Sequence, residues 1–140
     1  MKSNDVVRTG AGSGYGLPTI TSLLLILLVL FHLSDDIVRG YEKGGPENLM
    51  ALPILAVWLF GALVLRERRS GYIITLLGSL LALAIPYFHM KGKGLGYQID
   101  KMPSGGFFFA WTVLALGVVA LFSVVVSVLG LWRLVRRPAG

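Results

Sequence analysis

The residues that could do chemistry are concentrated at the end of one apolar run. The stretch FHLSDDIVRG follows the aliphatic run SLLLILLVL and contains His32, Asp35, Asp36 and Arg39. On a helix, spacings of three, four and seven residues place side chains on one face. Imidazole and carboxylate groups together bind divalent metal ions, and imidazole also titrates near neutral pH. The stretch therefore predicts either a cation or proton site, or only the polar end of a helix.

The second histidine, His89, ends a different apolar segment. If the first and third apolar segments both cross a membrane, His32 and His89 emerge at the same, outer surface, where Asp35 and Asp36 also lie. Three interpretations stay open. The four residues are polar groups at the headgroup level, or a proton- or cation-responsive site. In the third interpretation, His32 and His89 bind a divalent metal ion or a haem. If that interpretation does not hold, we expect the protein to have no cofactor.

The apolar segments predict where the protein lies. Hydrophobic residues make up 55% of the 140-residue chain and charged residues 14%, whereas soluble domains carry about 25% charged residues. A bilayer core needs about 20 apolar residues per helix, and its lack of hydrogen-bond partners excludes irregular spans. We therefore predict an all-α polytopic membrane protein, an antiparallel bundle of four transmembrane helices. Its helices are about 17–38, 49–65, 71–90 and 107–132, forming a domain 17–132 between a flexible tail 1–16 and a basic tail 133–140.

Basic residues predict the orientation of the bundle. With four spans, one side of the membrane receives eight basic residues and the other five: Lys2, Arg8, Arg66, Arg68, Arg69, Arg133, Arg136 and Arg137 against Arg39, Lys43, Lys91, Lys93 and Lys101. Because the more basic side faces the cytoplasm, both termini should be cytoplasmic, in the inner membrane of a bacterium. We expect Arg133, Arg136 and Arg137 to contact anionic lipid headgroups.

Small residues predict which helices pack closely. In lipid, helices associate where small side chains let their backbones approach. Two segments carry such residues three or four apart: Thr75, Gly78 and Ala82 in the third, and Gly117, Ala120, Ser123, Ser127 and Gly130 in the fourth. We expect these faces to form the tightest helix contact, within the bundle or between copies.

Motifs for catalysis are missing from the sequence. There is no cysteine, no H-E-x-x-H and no G-x-S-x-G, so we expect no enzyme. The net charge of +6 does not predict nucleic-acid binding, because the basic residues flank the apolar segments. We expect a non-catalytic accessory or assembly subunit whose partners are the bilayer, other membrane subunits or its own copies. The alternative is a small transporter or channel with the His/Asp residues at its outer mouth.

Overall fold

The computed structural model describes residues 16–91, 99–100 and 104–136, and within these ranges the chain is helical without strands. Four long α-helices, α1 to α4, lie within the described residues, and a short 3-10 helix (Pro46–Met50) leads directly into α2. Their bounds are Leu17–Val38, Ala51–Leu63, Arg69–Met90 and Gly106–Arg136. All four are long and apolar enough to span a bilayer, when the 3-10 helix is counted with α2 as one span. The predicted all-α, four-helix transmembrane fold is confirmed.

Contacts between the helix ends show that neighbouring helices alternate in direction. Thr19, at the start of α1, donates from Oγ1 to the carbonyl of Ala62, at the end of α2 (2.9 Å). His32 and His89, near the ends of α1 and α3, lie side by side. We name this the histidine end, and the opposite end, which carries residues 16 and 136, the arginine end. That the arginine end faces the cytoplasm stays a prediction from charge.

The helix bounds differ most from those expected at the start of the second span and at the end of α4, while α2 ends and α3 begins two residues earlier than expected. The second span begins as a 3-10 turn at Pro46, because proline fits the first turn of a helix, where its missing N–H costs nothing. Helix α4 continues past Trp132 to Arg136, whose guanidinium lies 3.9 Å from the centre of the Trp132 ring. This cation–π contact stabilises one more turn of α4 at the arginine end.

The core lies between α1, α3 and α4, and α2 lies at the edge of the bundle. In the most apolar stretch of the second span 17% of residues are buried, against 28% in each of the other three. Leu25, Leu116 and Ala120 are fully buried and pack with Ala82 and Trp58. These side chains fill the middle of the bundle with apolar atoms.

A chain of hydroxyl groups crosses the bundle closer to the arginine end. Ser123 on α4 accepts hydrogen bonds from Ser79 on α3 (2.7 Å) and from Thr21 on α1 (3.2 Å). Thr75 and Ser127 form a second α3–α4 pair at 3.3 Å. We name these five residues the hydroxyl seam. Hydrogen bonds between helices stabilise bundles in lipid, so the seam helps to hold the three helices in register.

Ser123→Ala should lower the free energy of unfolding by about 1 kcal/mol, because it removes the hydroxyl that joins Thr21 and Ser79 across the bundle, although both keep a carbonyl acceptor in their own helix. Ser127→Ala is the matched control, since Ser127 pairs with Thr75 alone, and it should cost about half as much. Unfolding by SDS in mixed micelles measures both values. A loss for Ser127→Ala as large as that for Ser123→Ala would contradict the central role of Ser123.

The small residues predicted to pack lie at three different contacts. On α4, Gly117 lies against Pro86 and Gly130 against Tyr72, both side chains of α3. Ala82 and Ala120 belong to the core between the helices. Gly78 faces the other way, because the Trp58 ring of α2 covers it and leaves no room for a Cβ. The stripe on α4 therefore packs on α3, and Gly78 serves the α2–α3 contact.

The turn between α2 and α3 is tight enough to require a glycine. At Gly71, in the first turn of α3, a Cβ atom would collide with the backbone carbonyl of Leu65 and lie 3.0 Å from that of Gly61. Gly61 itself has the Ile74 side chain over its Cα. Backbone-to-backbone approach at Gly71 thus sets the crossing of α2 and α3.

Candidate functional site

Helix α1 places two of its polar residues inside the bundle at the histidine end. His32 and Asp36 stand four residues apart, which on a helix puts them on one face. They are 5% and 9% exposed, although the residues around them, such as Phe31 and Val38, are exposed. His89 reaches the same place from the last turn of α3. The helix ends thus bring together side chains 57 residues apart.

The three side chains are close enough to share one bound ion. Nε2 of His32 lies 3.0 Å from Nε2 of His89 and 3.3 Å from Oδ2 of Asp36. One possible ligand atom from each residue lies within 4.8 Å of the other two. We name His32, Asp36 and His89 the histidine cluster. It contains three of the four residues that the sequence predicted to converge.

One nitrogen of the histidine cluster has two polar neighbours, but in a neutral imidazole it can form a hydrogen bond with only one of them. Nε2 of His32 faces both His89 and Asp36, and it carries either one hydrogen or one lone pair. With the lone pair, it accepts from His89, and no proton lies between it and the carboxylate. With the hydrogen, it must divide a single N–H between two acceptors. A cation bound by all three groups removes this conflict.

Two polar atoms of the histidine cluster are buried without a hydrogen-bond partner among the described residues: Nδ1 of His32 and Oδ1 of Asp36. An unpartnered buried polar atom typically costs about 1–3 kcal/mol. The protein therefore keeps an expensive polar group inside the bundle. An unpartnered Oδ1 also leaves the carboxylate free to turn toward an occupant.

Phe109 of α4 covers the histidine cluster and was not anticipated from the sequence. Its ring centre lies 5.9 Å from that of His32 and 5.1 Å from that of His89, and the side chain is fully buried. The only signal in the sequence is the run Phe107–Phe109 at the start of α4, of which one member must face inward. Phe109 keeps water from the α4 side of the cluster.

Asp35 is not part of the histidine cluster, because it is engaged by Arg39. Nε of Arg39 donates to Oδ2 of Asp35 at 2.7 Å, and the same guanidinium donates to the carbonyls of Ser104 (2.6 Å) and Gly105 (3.1 Å). The hydrogen bond to Asp35 raises the pKa of Arg39 above its ordinary value. Arg39 therefore stays charged and ties the end of α1 to the start of α4.

A haem does not fit the two histidines. Axial histidines bind haem iron from opposite faces of the macrocycle. Here the two Nε2 atoms are 3.0 Å apart, and Phe109 fills the space beside them. The three ligand groups are close enough to share one ion.

The arginines predicted to contact lipid headgroups lie near the end of α4. Arg133 is exposed, and Arg136 is exposed with its guanidinium over Trp132. Arg137 lies outside the described residues. Contact of these side chains with headgroups stays a prediction.

Fold and helix lengths define the class as a small multi-pass α-helical membrane protein with a buried histidine–aspartate cluster. In comparisons with known proteins, the sequence matches no family model, no curated protein and no solved structure. Its function is therefore argued from the geometry of the cluster and of the core.

Proposed function

We propose that the protein is a non-catalytic accessory protein of the membrane that holds a cation in the histidine cluster. The proposal of a bound cation rests on the position of His32 Nε2, which faces a second imidazole and a carboxylate at once. Three electron-rich groups converge there in a buried place, and such an arrangement is stable when a positive charge lies between them.

The packing of the bundle favours a cation that stays bound rather than one that is transported. Between the histidine cluster and the hydroxyl seam lies the core of Leu25, Leu116 and Ala120, all fully buried. The hydroxyls of Ser79 and Ser123 bond to each other. A cation at the histidine end therefore faces closely packed apolar atoms on its inner side. This supports a structural role at one end of the bundle.

The lipid-facing surface suits an accessory subunit. Large apolar side chains are exposed along every helix, and α2 contributes many of them, including Val57 and Phe60. This surface fits acyl chains and also the helices of other subunits or further copies. The proposed partners are therefore the bilayer and neighbouring membrane proteins.

Extraction in a mild detergent tests the accessory role. We expect a particle larger than the 15.2 kDa chain, with a reproducible set of partner subunits or a fixed number of copies by native mass spectrometry. The chain contains no cysteine, so Val57→Cys on exposed α2 reports neighbours by cross-linking without background. Ala120→Cys, buried in the core, is the control that should not cross-link. A uniform monomer with no cross-linked product would contradict this role.

The second candidate is a transporter or channel with the histidine cluster at its mouth, favoured by the burial of three cation-binding groups near one membrane surface. Purified protein in liposomes separates the two. We expect cation flux no greater than in protein-free vesicles. Flux that disappears in His32→Ala, but persists in the matched Asp35→Asn, would establish the transporter and contradict the static role.

A further inference from the structure

We infer that the histidine cluster is a binding site for a divalent metal ion of the zinc class. The ligands are Nε2 of His32, Nε2 of His89 and the carboxylate of Asp36. The inference deepens the proposed function, on which it rests, because it names the cation.

The donor atoms select the class of metal. Two of the three ligand atoms are imidazole nitrogens, from His32 and His89. Magnesium and calcium prefer sites built from oxygen, whereas zinc, cobalt, nickel and copper bind imidazole well. Two histidines and one carboxylate provide three of the four ligands of a tetrahedral zinc ion and leave the fourth position to a water or a further ligand. The described residues provide those three ligands.

A metal satisfies the histidine cluster better than an added proton does. If the proton is added to Asp36, the O–H and the N–H of His89 both point at the single lone pair of His32 Nε2. If it is added to His32, one N–H at Nε2 still serves two acceptors, at 3.0 and 3.3 Å. A metal ion uses the lone pair of each imidazole once and the carboxylate once. A metal ion therefore serves all three ligand groups at once.

The observed spacing is close to that of a metal site. Zinc binds nitrogen at 2.0–2.1 Å, so two ligands in tetrahedral geometry lie about 3.3 Å apart. The two Nε2 atoms are 3.0 Å apart, and Asp36 Oδ2 lies 3.3 Å from His32. A turn of the Asp36 side chain, whose Oδ1 has no partner among the described residues, brings it closer to His89. In the structure, the ligand atoms of all three residues lie within 4.8 Å of one another.

Neighbouring residues restrict the motion of these ligands. Phe109 lies against the rings of His32 and His89, which stand edge to face with centres 4.9 Å apart. Arg39 holds the adjacent carboxylate, Asp35, away from the site. A metal here would bind α1 to α3 directly, with α4 packed over it. Preordered ligands of this kind lower the entropy cost of binding.

Calorimetry on the full-length protein in detergent micelles, stripped of metal with EDTA, tests the site. We expect one Zn²⁺ per chain, binding at least about 100-fold more tightly than Mg²⁺. Co²⁺ should give the visible absorption of a four-coordinate ion and be displaced by Zn²⁺.

Single substitutions show which residues bind the metal. His32→Gln, His89→Gln and Asp36→Asn should each weaken zinc binding by about 100-fold or more, because removing even groups outside the ligand set costs about 10–100-fold. Asp35→Asn is the matched control: it removes a neighbouring carboxylate that pairs with Arg39 and is not one of the three ligands, so it should weaken zinc binding far less than Asp36→Asn does. Circular dichroism in the same micelles confirms that each variant is folded.

Three results would contradict the proposed metal site. These are a folded wild-type protein that binds no Zn²⁺, Mg²⁺ binding as tight as Zn²⁺ binding, and an equal loss in Asp35→Asn and Asp36→Asn. If zinc fails but NMR shows one proton shared by His32 and His89, the cation of the proposed function is a proton and only the metal is wrong. If neither binds, the proposed cation role fails as well.

Discussion

Gly71→Ala is expected to lower the free energy of unfolding by about 3 kcal/mol, at the upper end of the range for overpacking. The added Cβ would collide with the carbonyl of Leu65 and crowd that of Gly61. Both are backbone atoms, so no side-chain rotation can make room. The α2–α3 turn must open, and the contact between Trp58 and Gly78 opens with it.

The sign of this effect makes the test sharp, since alanine favours a helix over glycine by up to about 1 kcal/mol. Gly117→Ala is the matched control, because its Cβ would lie 3.3 Å from Cγ of Pro86, a side chain that can shift slightly. It should change stability by less than about 1 kcal/mol. SDS-induced unfolding in mixed micelles measures both. A Gly71→Ala protein as stable as wild type would show that the turn at Leu65 is looser than described.

Arg39→Ala should lower the free energy of unfolding by about 2 kcal/mol and loosen the start of α4. The substitution removes three hydrogen bonds, to Asp35 and to the carbonyls of Ser104 and Gly105. Hydrogen exchange at residues 106–110 should accelerate, while exchange in the middle of α3 should not change. Arginine is charged at every physiological pH, so the contact persists throughout this range. Because the hydrogen bond to Asp35 raises the pKa of Arg39, the contribution of this contact to stability is lost only as pH rises through that pKa.

Arg39→Lys separates the ion pair from the two carbonyl contacts. Lysine can pair with Asp35, but it lacks the planar fork that reaches a carboxylate and two carbonyls at once. We expect it to recover less than half of the stability lost in Arg39→Ala. Full recovery would mean that charge alone holds α1 to α4. The same measurements serve both variants.

The number of helices could be predicted from the sequence because long apolar runs have few stable alternatives in lipid. Helix α1 has the expected bounds of 17–38. The 3-10 turn at Pro46–Met50 and the last turn of α4 were missed, since both depend on local contacts and not on hydropathy. The direction of Gly78 was also missed. Spacing shows which residues share a face, but the rotation of α3 between α2 and α4 depends on packing.

For the candidate site, the topology of four spans was enough to predict that His32 and His89 lie at the same surface, and the structure places them side by side. Topology could not distinguish Asp35 from Asp36, because both lie within one turn of His32 and share its broad face. Arg39 decides between them, and its partners at residues 104 and 105 are 65 and 66 residues away in sequence. Phe109, which covers the cluster, lies 77 residues from His32 in the sequence. Contacts of this range follow from three-dimensional packing and leave no local pattern.

The unequal lengths of the helices have a consequence for hydrophobic mismatch. Helix α4, with 31 residues, is about 46 Å long, far more than a hydrocarbon layer of about 30 Å. It can accommodate a thicker bilayer simply by tilting less. The second span has 13 α-helical residues, about 20 Å, and reaches across only with the 3-10 turn before it. Thickening of the membrane therefore strains Pro46–Met50 first. This one turn limits the range of bilayer thickness that the protein can span without hydrophobic mismatch.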